Sequence, residues 1–335
     1  MEFWSRHRVL VTGITGLAGV HLGLKLADAK ARVIGLVRDR IPFDRFHRSG
    51  LADRVTQVDG SCEDAGLMKR ILNEYDISAV FHLAAQTQVT LAVADPASTF
   101  EANIRGTWSL LEATRAFPQV KGILVASSDK AYGASSALPY SEETPLRADA
   151  PYDVSKACAD LLAHAYARTY NLPVVVTRCA NLFGEGDLQW NRLIPEALRA
   201  WMEARAPRIR SDGRPKRDYL YAGDAADALL LLMQRRLENR LAHTAYNVSA
   251  SQPLTVLELV ERLKKLLEKR FQRVFPPPEI LATARHEIPE QWLSAERLRS
   301  ETGWKPAHTL DEALEKTLAY YVEFLDFGVK ASSGA

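Results

Sequence analysis

Three groups of residues could do chemistry in this chain. Tyr152 and Lys156 form a Y-x-x-x-K on a predicted helix, and positions i and i+4 share one helical face. An ammonium beside a phenol favours phenolate and lowers the tyrosine pKa, which makes Tyr152 an acid/base usable near neutral pH. Upstream, a predicted strand ends in Ala126-Ser127-Ser128-Asp129-Lys130. Parallel sheets present ligand sites at the carboxyl ends of strands, so the Ser128 hydroxyl, with Ser127 beside it, is placed to hydrogen-bond a substrate alkoxide. The third group is Thr12-Gly13-Ile14-Thr15-Gly16-Leu17-Ala18-Gly19, between the first strand and the first helix. Its glycines allow a tight turn and close backbone approach to a pyrophosphate, and the helix start offers N–H groups and a partial positive charge. A glycine triplet alone is a weak motif. Its place at the first strand–helix junction makes it a dinucleotide signature.

The cofactor's 2′ position is read where the second strand ends, Leu36-Val37-Arg38-Asp39. An acidic residue there binds a ribose diol, whereas the planar fork of Arg38 suits a 2′-phosphate. The cofactor expected is NAD or NADP, with Arg38 tipping the reading toward NADP. Asp59 ends a third short strand, 55–58, and either lines the adenine pocket or forms a turn.

The elements that must position these residues follow from periodicity. Short apolar runs at 9–11, 33–37, 79–83, 122–127 and 174–176 read as buried strands. Helical patterns at 20–28, 67–74, 103–115 and 161–170 separate them, which indicates parallel βαβ units. After Phe183 the rhythm changes. Arginine, proline and glycine become frequent between 187 and 218, and helices are expected at 224–235, 256–271 and 310–324. The fold class is therefore α/β: a Rossmann-type doubly wound parallel sheet over 1–182, with a smaller C-terminal α/β substrate lobe over 183–330 and room for the chain to cross between them. The tail from Lys330 is expected to fray.

Composition narrows the classes. The 335 residues are 47% hydrophobic and 25% charged, with a net charge of +2. No general basic field marks a nucleic-acid binder. Cys62, Cys158 and Cys179 are odd in number and widely spaced, which argues against a disulfide framework or a metal site and fits a cytoplasmic setting. The N-terminus lacks an apolar leader pattern, and no run reaches the roughly 18 apolar residues that span a bilayer.

The motifs in order resemble the extended short-chain dehydrogenase/reductase family: TGxxGxxG, His82-Leu83-Ala84-Ala85-Gln86, Asn103-Ile104-Arg105-Gly106-Thr107, Ser127-Ser128-Asp129-Lys130, YxxxK, Arg178 to Gly184, Arg217 to Ala226, and Thr302-Gly303-Trp304-Lys305-Pro306. The likeness covers about residues 7 to 325. Within that family, Ser128-Asp129-Lys130-Ala131-Tyr132 is similar to the signature of the sugar-nucleotide 4,6-dehydratases. Most of those carry Glu where Lys130 stands, and the Asp–Lys variant resembles the CDP-glucose branch. Phe3-Trp4, Arg192-Leu193-Ile194-Pro195 and His286-Glu287 agree with that branch. The Asp-Tyr-Leu-Tyr after Arg217 departs from its Trp-Gln-His run, and Val37-Arg38 is more like the NADP-using GDP-mannose dehydratases.

The resemblance implies that Tyr152 takes the O4 proton of a nucleotide-diphosphate hexose, that Asp129 protonates the leaving O6, and that Lys130 removes H5. It implies cofactor contacts from the glycine turn, Leu83, Ala84, Ala85, Asn103, Tyr152 and Lys156. It makes Gln86, Asn181, Arg192, Arg217 and Arg285 substrate contacts, helped by Lys216, with Arg210 near the nucleotide. Trp190 or Trp292 stacks on a base or belongs to the core. A homodimer is expected through helices 103–115 and 153–170, with no metal, nucleic acid or membrane. A C4 epimerase or 4-keto reductase uses the same scaffold without needing the Asp129–Lys130 pair. A non-catalytic NAD(P)-binding regulator or RNA-binding relative is the remaining alternative.

Overall fold

Apolar runs too short for helices become the strands of one sheet. A computed structural model describes residues 3–41, 44–284 and 288–332, with side chains to 325. The strands lie in the order Ala245–Val248, Val174–Cys179, Gly122–Ser128, Ala79–His82, Arg8–Thr12, Arg32–Val37, Thr56–Asp59, all parallel. Successive strand residues face opposite sides. Val9, Val11, Phe81 and Leu124 join one core, while Leu10, Val80, Ile123 and Val125 join the other. Burial on both faces explains the near-continuous apolar runs. Strand order reverses at Arg8–Thr12, between Arg32–Val37 and Ala79–His82, and the crevice beyond the carboxyl ends of the strands at such a reversal is where ligands bind.

Several boundaries differ from the sequence reading. The helix of the YxxxK runs Pro151–Tyr170, ten residues earlier than the apolar pattern shows, because Pro151 occupies a first-turn position where its missing N–H costs nothing. The expected helix 103–115 is a π-turn, Glu101–Arg105, followed by the α-helix Gly106–Arg115. The last helix reaches Ser332, past the point where fraying was expected.

The seventh strand, Ala245–Val248, was not expected. It lies beyond residue 182, after the helix Ala222–Leu237 that packs on Leu17–Asp28. Asn247 breaks its apolar run, yet Asn247 is fully buried and satisfied. Its amide donates to Tyr140 O and Ser294 O, and its side-chain carbonyl accepts from the Tyr132 hydroxyl.

A third core, with Ile194, Leu198, Trp201, Leu259, Leu263 and Tyr321, holds the smaller lobe. Two short ladders there reach the crevice. Asn181–Phe183 pairs with Tyr219–Tyr221, and Lys216–Arg217 lies between Leu254–Thr255 and Glu290–Gln291. Among the described residues, no helix is long and apolar enough to cross a membrane.

Candidate active site

Backbone builds the phosphate turn. Gly13 has φ +71°, and a Cβ there would stand 2.7 Å from Ala84 N. The turn therefore lies directly on the Leu83–Ala84 backbone. A Cβ on Gly19 would collide with Gly13 O and approach Ile14 Cα at 2.8 Å. The helix starts at Leu17 with Gly16 as its cap and no capping side chain. Val20 N–H closes the first turn on Gly16 O at 2.9 Å, and the N–H groups ahead of it point out of the helix start toward any bound anion. Thr15 and Leu17 are half-buried and Gly16 is exposed. This is a cradle a side chain would fill, and it fits a dinucleotide pyrophosphate.

A buried relay fixes the turn to the helix that carries Tyr152. Ala84 N–H donates to Thr12 Oγ1 (3.2 Å), Thr12 pairs with His82 Nδ1 (2.9 Å), His82 Nε2 with Thr107 Oγ1 (3.1 Å), and Thr107 donates to Asn103 O (2.6 Å). Burial drops the His82 pKa to about 3, with Lys156 acting in the same direction, so the ring is neutral. Because Thr107 gives its proton to Asn103 O, His82 must carry its own proton on Nε2 and accept from Thr12 at Nδ1. The Asn103 amide donates to Gln86 O (2.9 Å) and Ser155 Oγ (2.8 Å) and accepts from Gln86 N–H (2.7 Å). Asn103 therefore acts beneath the cleft, holding the 83–86 segment. The Gln86 side chain is engaged locally, with Gln88 and Thr99.

At the 2′ end, Arg38 Nε donates to Asp39 (2.7 Å) and Arg40 holds Asp59 (2.8 and 3.0 Å), all four side chains exposed. Arg40 was missed in the sequence reading, because a guanidinium just past a strand end has no periodic signature.

The acid–base centre is made of side chains. The strand Gly122–Ser128 runs into the turn Asp129–Tyr132, where Ser128 Oγ caps Lys130 N–H and donates to Asp129 Oδ1 at 2.9 Å. Lys130 Nζ lies 3.3 Å from Asp129 Oδ2. Tyr152 is buried beside them. The expected depression of its pKa is absent. Desolvation pushes the phenol up to about 12, and the opposing pull comes from Arg192 and a hydrogen bond with Ser128. Lys156 donates to Ala126 O at 2.8 Å, and burial lowers its own pKa to about 8. Removing water costs the phenolate more than Arg192 and Ser128 return.

Two residues of this centre were not singled out from the sequence. Asp153, next to Tyr152, is pushed up to about 6 by burial, with Lys130 opposing and Asp129 adding to the shift. Gln291 is fully buried, accepts from Lys130 Nζ and donates to Asp129 O at 3.0 Å. Asp153 lay in view inside the YxxxK. Gln291 lies 161 residues from Lys130 and carries no local signal.

The substrate-side candidates are spread along the other wall. Arg192 caps the helix Leu193–Met202, pairs with Asp187 at 3.1 Å, and acts electrostatically on Tyr152. Arg217 donates to Lys216 O at 2.8 Å, and its charge acts on Tyr140 opposite to that of Asp129. Lys216 pairs with Glu290 at 3.0 Å. Asn181 donates to Asp218 O. Arg210 is exposed, and its carbonyl accepts from Thr283 and Ala284. Arg285, with His286 and Glu287, lies outside the described residues. Trp190 packs on Tyr321 and Phe324 under Arg199, in an aromatic cluster of the smaller lobe. Trp292 is half-buried, and its carbonyl accepts from Tyr140 N–H.

A nucleotide turn, a Ser–Tyr–Lys centre and an Asp–Lys pair thus lie at the carboxyl ends of one sheet, and residues 10–317 match the family model of GDP-mannose 4,6 dehydratase. The chain belongs to this family. A dTDP-glucose 4,6-dehydratase from Shigella flexneri is 30% identical over 98% of this chain and 96% of its own length. One from Xanthomonas campestris is 29% identical over 93% and 92%. Among solved structures, dTDP-glucose 4,6-dehydratase from Bacillus anthracis in complex with NAD has a TM-score of 0.82 at 26% identity, covering 95% of this chain and 97% of that one. UDP-glucose 4-epimerase from Thermotoga maritima with UDP-glucose has a TM-score of 0.83 at 27% identity, covering 95% and 99%. The family is that of the sugar-nucleotide 4,6-dehydratases, on the extended short-chain dehydrogenase fold.

Proposed function

We propose that the protein converts a nucleotide-diphosphate hexose, CDP-glucose first among them, to its 4-keto-6-deoxy derivative. The observation that carries this reading is the Asp129–Lys130 pair, 3.3 Å apart at the end of the strand that sets Ser128 against Tyr152. The dTDP-glucose dehydratases among the relatives favour dehydration, while the Asp–Lys type of the pair favours the CDP donor.

NAD or NADP fits the glycine cradle. When bound there, it supplies a hydride acceptor for C4 and a donor for C6. Arg38 is the group that would take a 2′-phosphate from Asp39, so NADP is the form we favour. Tyr152 takes the O4 proton as phenolate, the minor form for a phenol pushed up to about 12, and Ser128 orients the oxygen. The resulting 4-keto group acidifies H5. Asp129 and Lys130 share one proton. With it on Asp129, the Lys130 amine removes H5 while Asp129 protonates O6, and water leaves across C5 and C6. The proton on Lys130 then returns to C5. The proton taken from O4 reaches Asp129 through Ser128, whose hydroxyl touches both Tyr152 and Asp129. Every proton is accounted for, and the site is reset.

Arg192, Arg217 and Arg285 are the proposed clamps of the diphosphate, helped by Asn181 and Lys216, with Arg210 for the nucleotide and Gln86 as a further substrate contact. Exposed Trp108, Leu161 and Tyr170 on the helices Gly106–Arg115 and Pro151–Tyr170 support a homodimer through these helices.

The discriminating test is Asp129→Asn. A dehydratase keeps C4 oxidation and accumulates reduced nicotinamide, with no 4-keto-6-deoxy product. Wild-type turnover by the variant would instead support the C4 epimerase reading.

A further inference from the structure

We propose that Gln291 is a positioning residue for Lys130, and that through it the strand bearing Arg217 governs the Asp129–Lys130 proton pair. This rests on the dehydratase reading above.

The geometry is two-ended. A backbone carbonyl has no donor, so the orientation of the Gln291 amide is fixed whichever form Lys130 takes: its nitrogen faces Asp129 O and its oxygen faces Lys130 Nζ. One side chain thus grips the tip of Lys130 and the backbone of its partner. A lysine stem is flexible, and two carboxylates compete for this ammonium: Asp129 from the same turn, and Asp153 from the helix Pro151–Tyr170. Gln291 adds a neutral third contact to the amine, which lies 3.3 Å from Asp129 Oδ2. The remaining titratable groups around the pair are Tyr152 on that helix, Tyr140, Asp218 and the Cys179 thiol on the strand next to Ser128, which interact electrostatically with Asp129, and Arg217, which acts on Tyr140.

The placement of Gln291 links it to the substrate lobe. Glu290–Gln291 pairs in parallel with Lys216–Arg217, and Gln291 stands opposite Arg217. The next residue, Asp218, is fully buried and accepts from Ser249 Oγ and from Leu293 N–H, two positions past Gln291. The ladder is anchored past Gln291 by the Leu293 contact and before it by Lys216 N–H, which donates to Pro289 O at 2.8 Å. Any shift of Arg217 onto a diphosphate moves the strand that aims Lys130. Substrate binding and proton-pair geometry share one backbone ladder.

The test uses Gln291→Met and Gln291→Glu in the full-length holoenzyme with CDP-glucose, or with whichever nucleotide hexose the wild type converts. In the methionine variant, C4 oxidation should persist while elimination falls about 10- to 100-fold, so reduced nicotinamide builds up and solvent deuterium enters C5 more slowly. In the glutamate variant, elimination should partly return, with its pH profile displaced to higher pH, because a carboxylate favours the charged amine. Thermal unfolding of both variants is recorded alongside. The proposal is overturned if elimination and C4 oxidation fall together in either variant, or if the glutamate variant keeps the wild-type profile. Should the methionine variant fail to fold, the glutamate profile alone decides. If the wild type dehydrates no nucleotide hexose, the function reading fails instead, a result distinct from either.

Discussion

The phosphate turn and the acid–base centre sit at the carboxyl ends of the same sheet but are built differently. The turn is backbone: glycines at 13 and 19 remove side chains so that main chain can lie on main chain, within eight consecutive residues. The centre is side chains: Ser128, Asp129 and Lys130 from one strand end, Tyr152, Asp153 and Lys156 from a helix, Gln291 from the other lobe. Burial sets its protonation, raising Tyr152 and Asp153 and lowering Lys156. A site of backbone tolerates no added atom. A site of side chains depends on what the rest of the fold does to its dielectric.

The comparison can be broken most sharply at Tyr152. Tyr152→Phe should slow C4 oxidation by roughly 1000-fold, the scale of a lost general base, with cofactor affinity and Tm unchanged. A matching loss of cofactor affinity would show that the two regions are not separable. The reverse test is Gly19→Ala. The added methyl meets Gly13 O and Ile14, and cofactor affinity measured by titration should fall by about 100-fold.

Arg38→Ala sharpens the turn's specificity. Affinity for NADP should fall roughly tenfold while that for NAD holds. Equal affinities in wild type and variant would remove Arg38 from the site.

A separate effect falls on stability. The Asp153 pKa is raised from 3.8 to about 6 in the folded protein, so the folded state binds more protons than the unfolded one between those values. Its contribution is present below pH 3.8 and lost as pH rises through 6. Asp153→Asn should therefore stabilise the fold by about 3 kcal/mol at pH 7.5, an advantage that shrinks below pH 6 and vanishes under pH 3.8, read from denaturant midpoints.

Legibility in the sequence follows the same divide. The glycine turn, the strands at 79–82 and 174–179, and the Tyr152–Lys156 face follow from spacing, because local periodicity or backbone geometry dictates them. The seventh strand does not, since its Asn247 is polar and is satisfied only by Tyr132, Tyr140 and Ser294 far along the chain. Gln291 is invisible for the same reason. The direction of the Tyr152 pKa was misread because charge proximity can be seen in a sequence and desolvation cannot. The bidentate Asp160–Arg178 pair, at 2.8 and 3.0 Å, ties the Tyr152 helix to the strand Val174–Cys179, again through residues whose relation is spatial.

The most direct test of the account is a mass spectrum taken after mixing the enzyme with CDP-, GDP-, UDP- and dTDP-glucose deuterated at C4. One donor should give a product that has lost one water and carries the deuterium at C6. A product of unchanged mass, or one in which C4 deuterium has stayed in place, would contradict it.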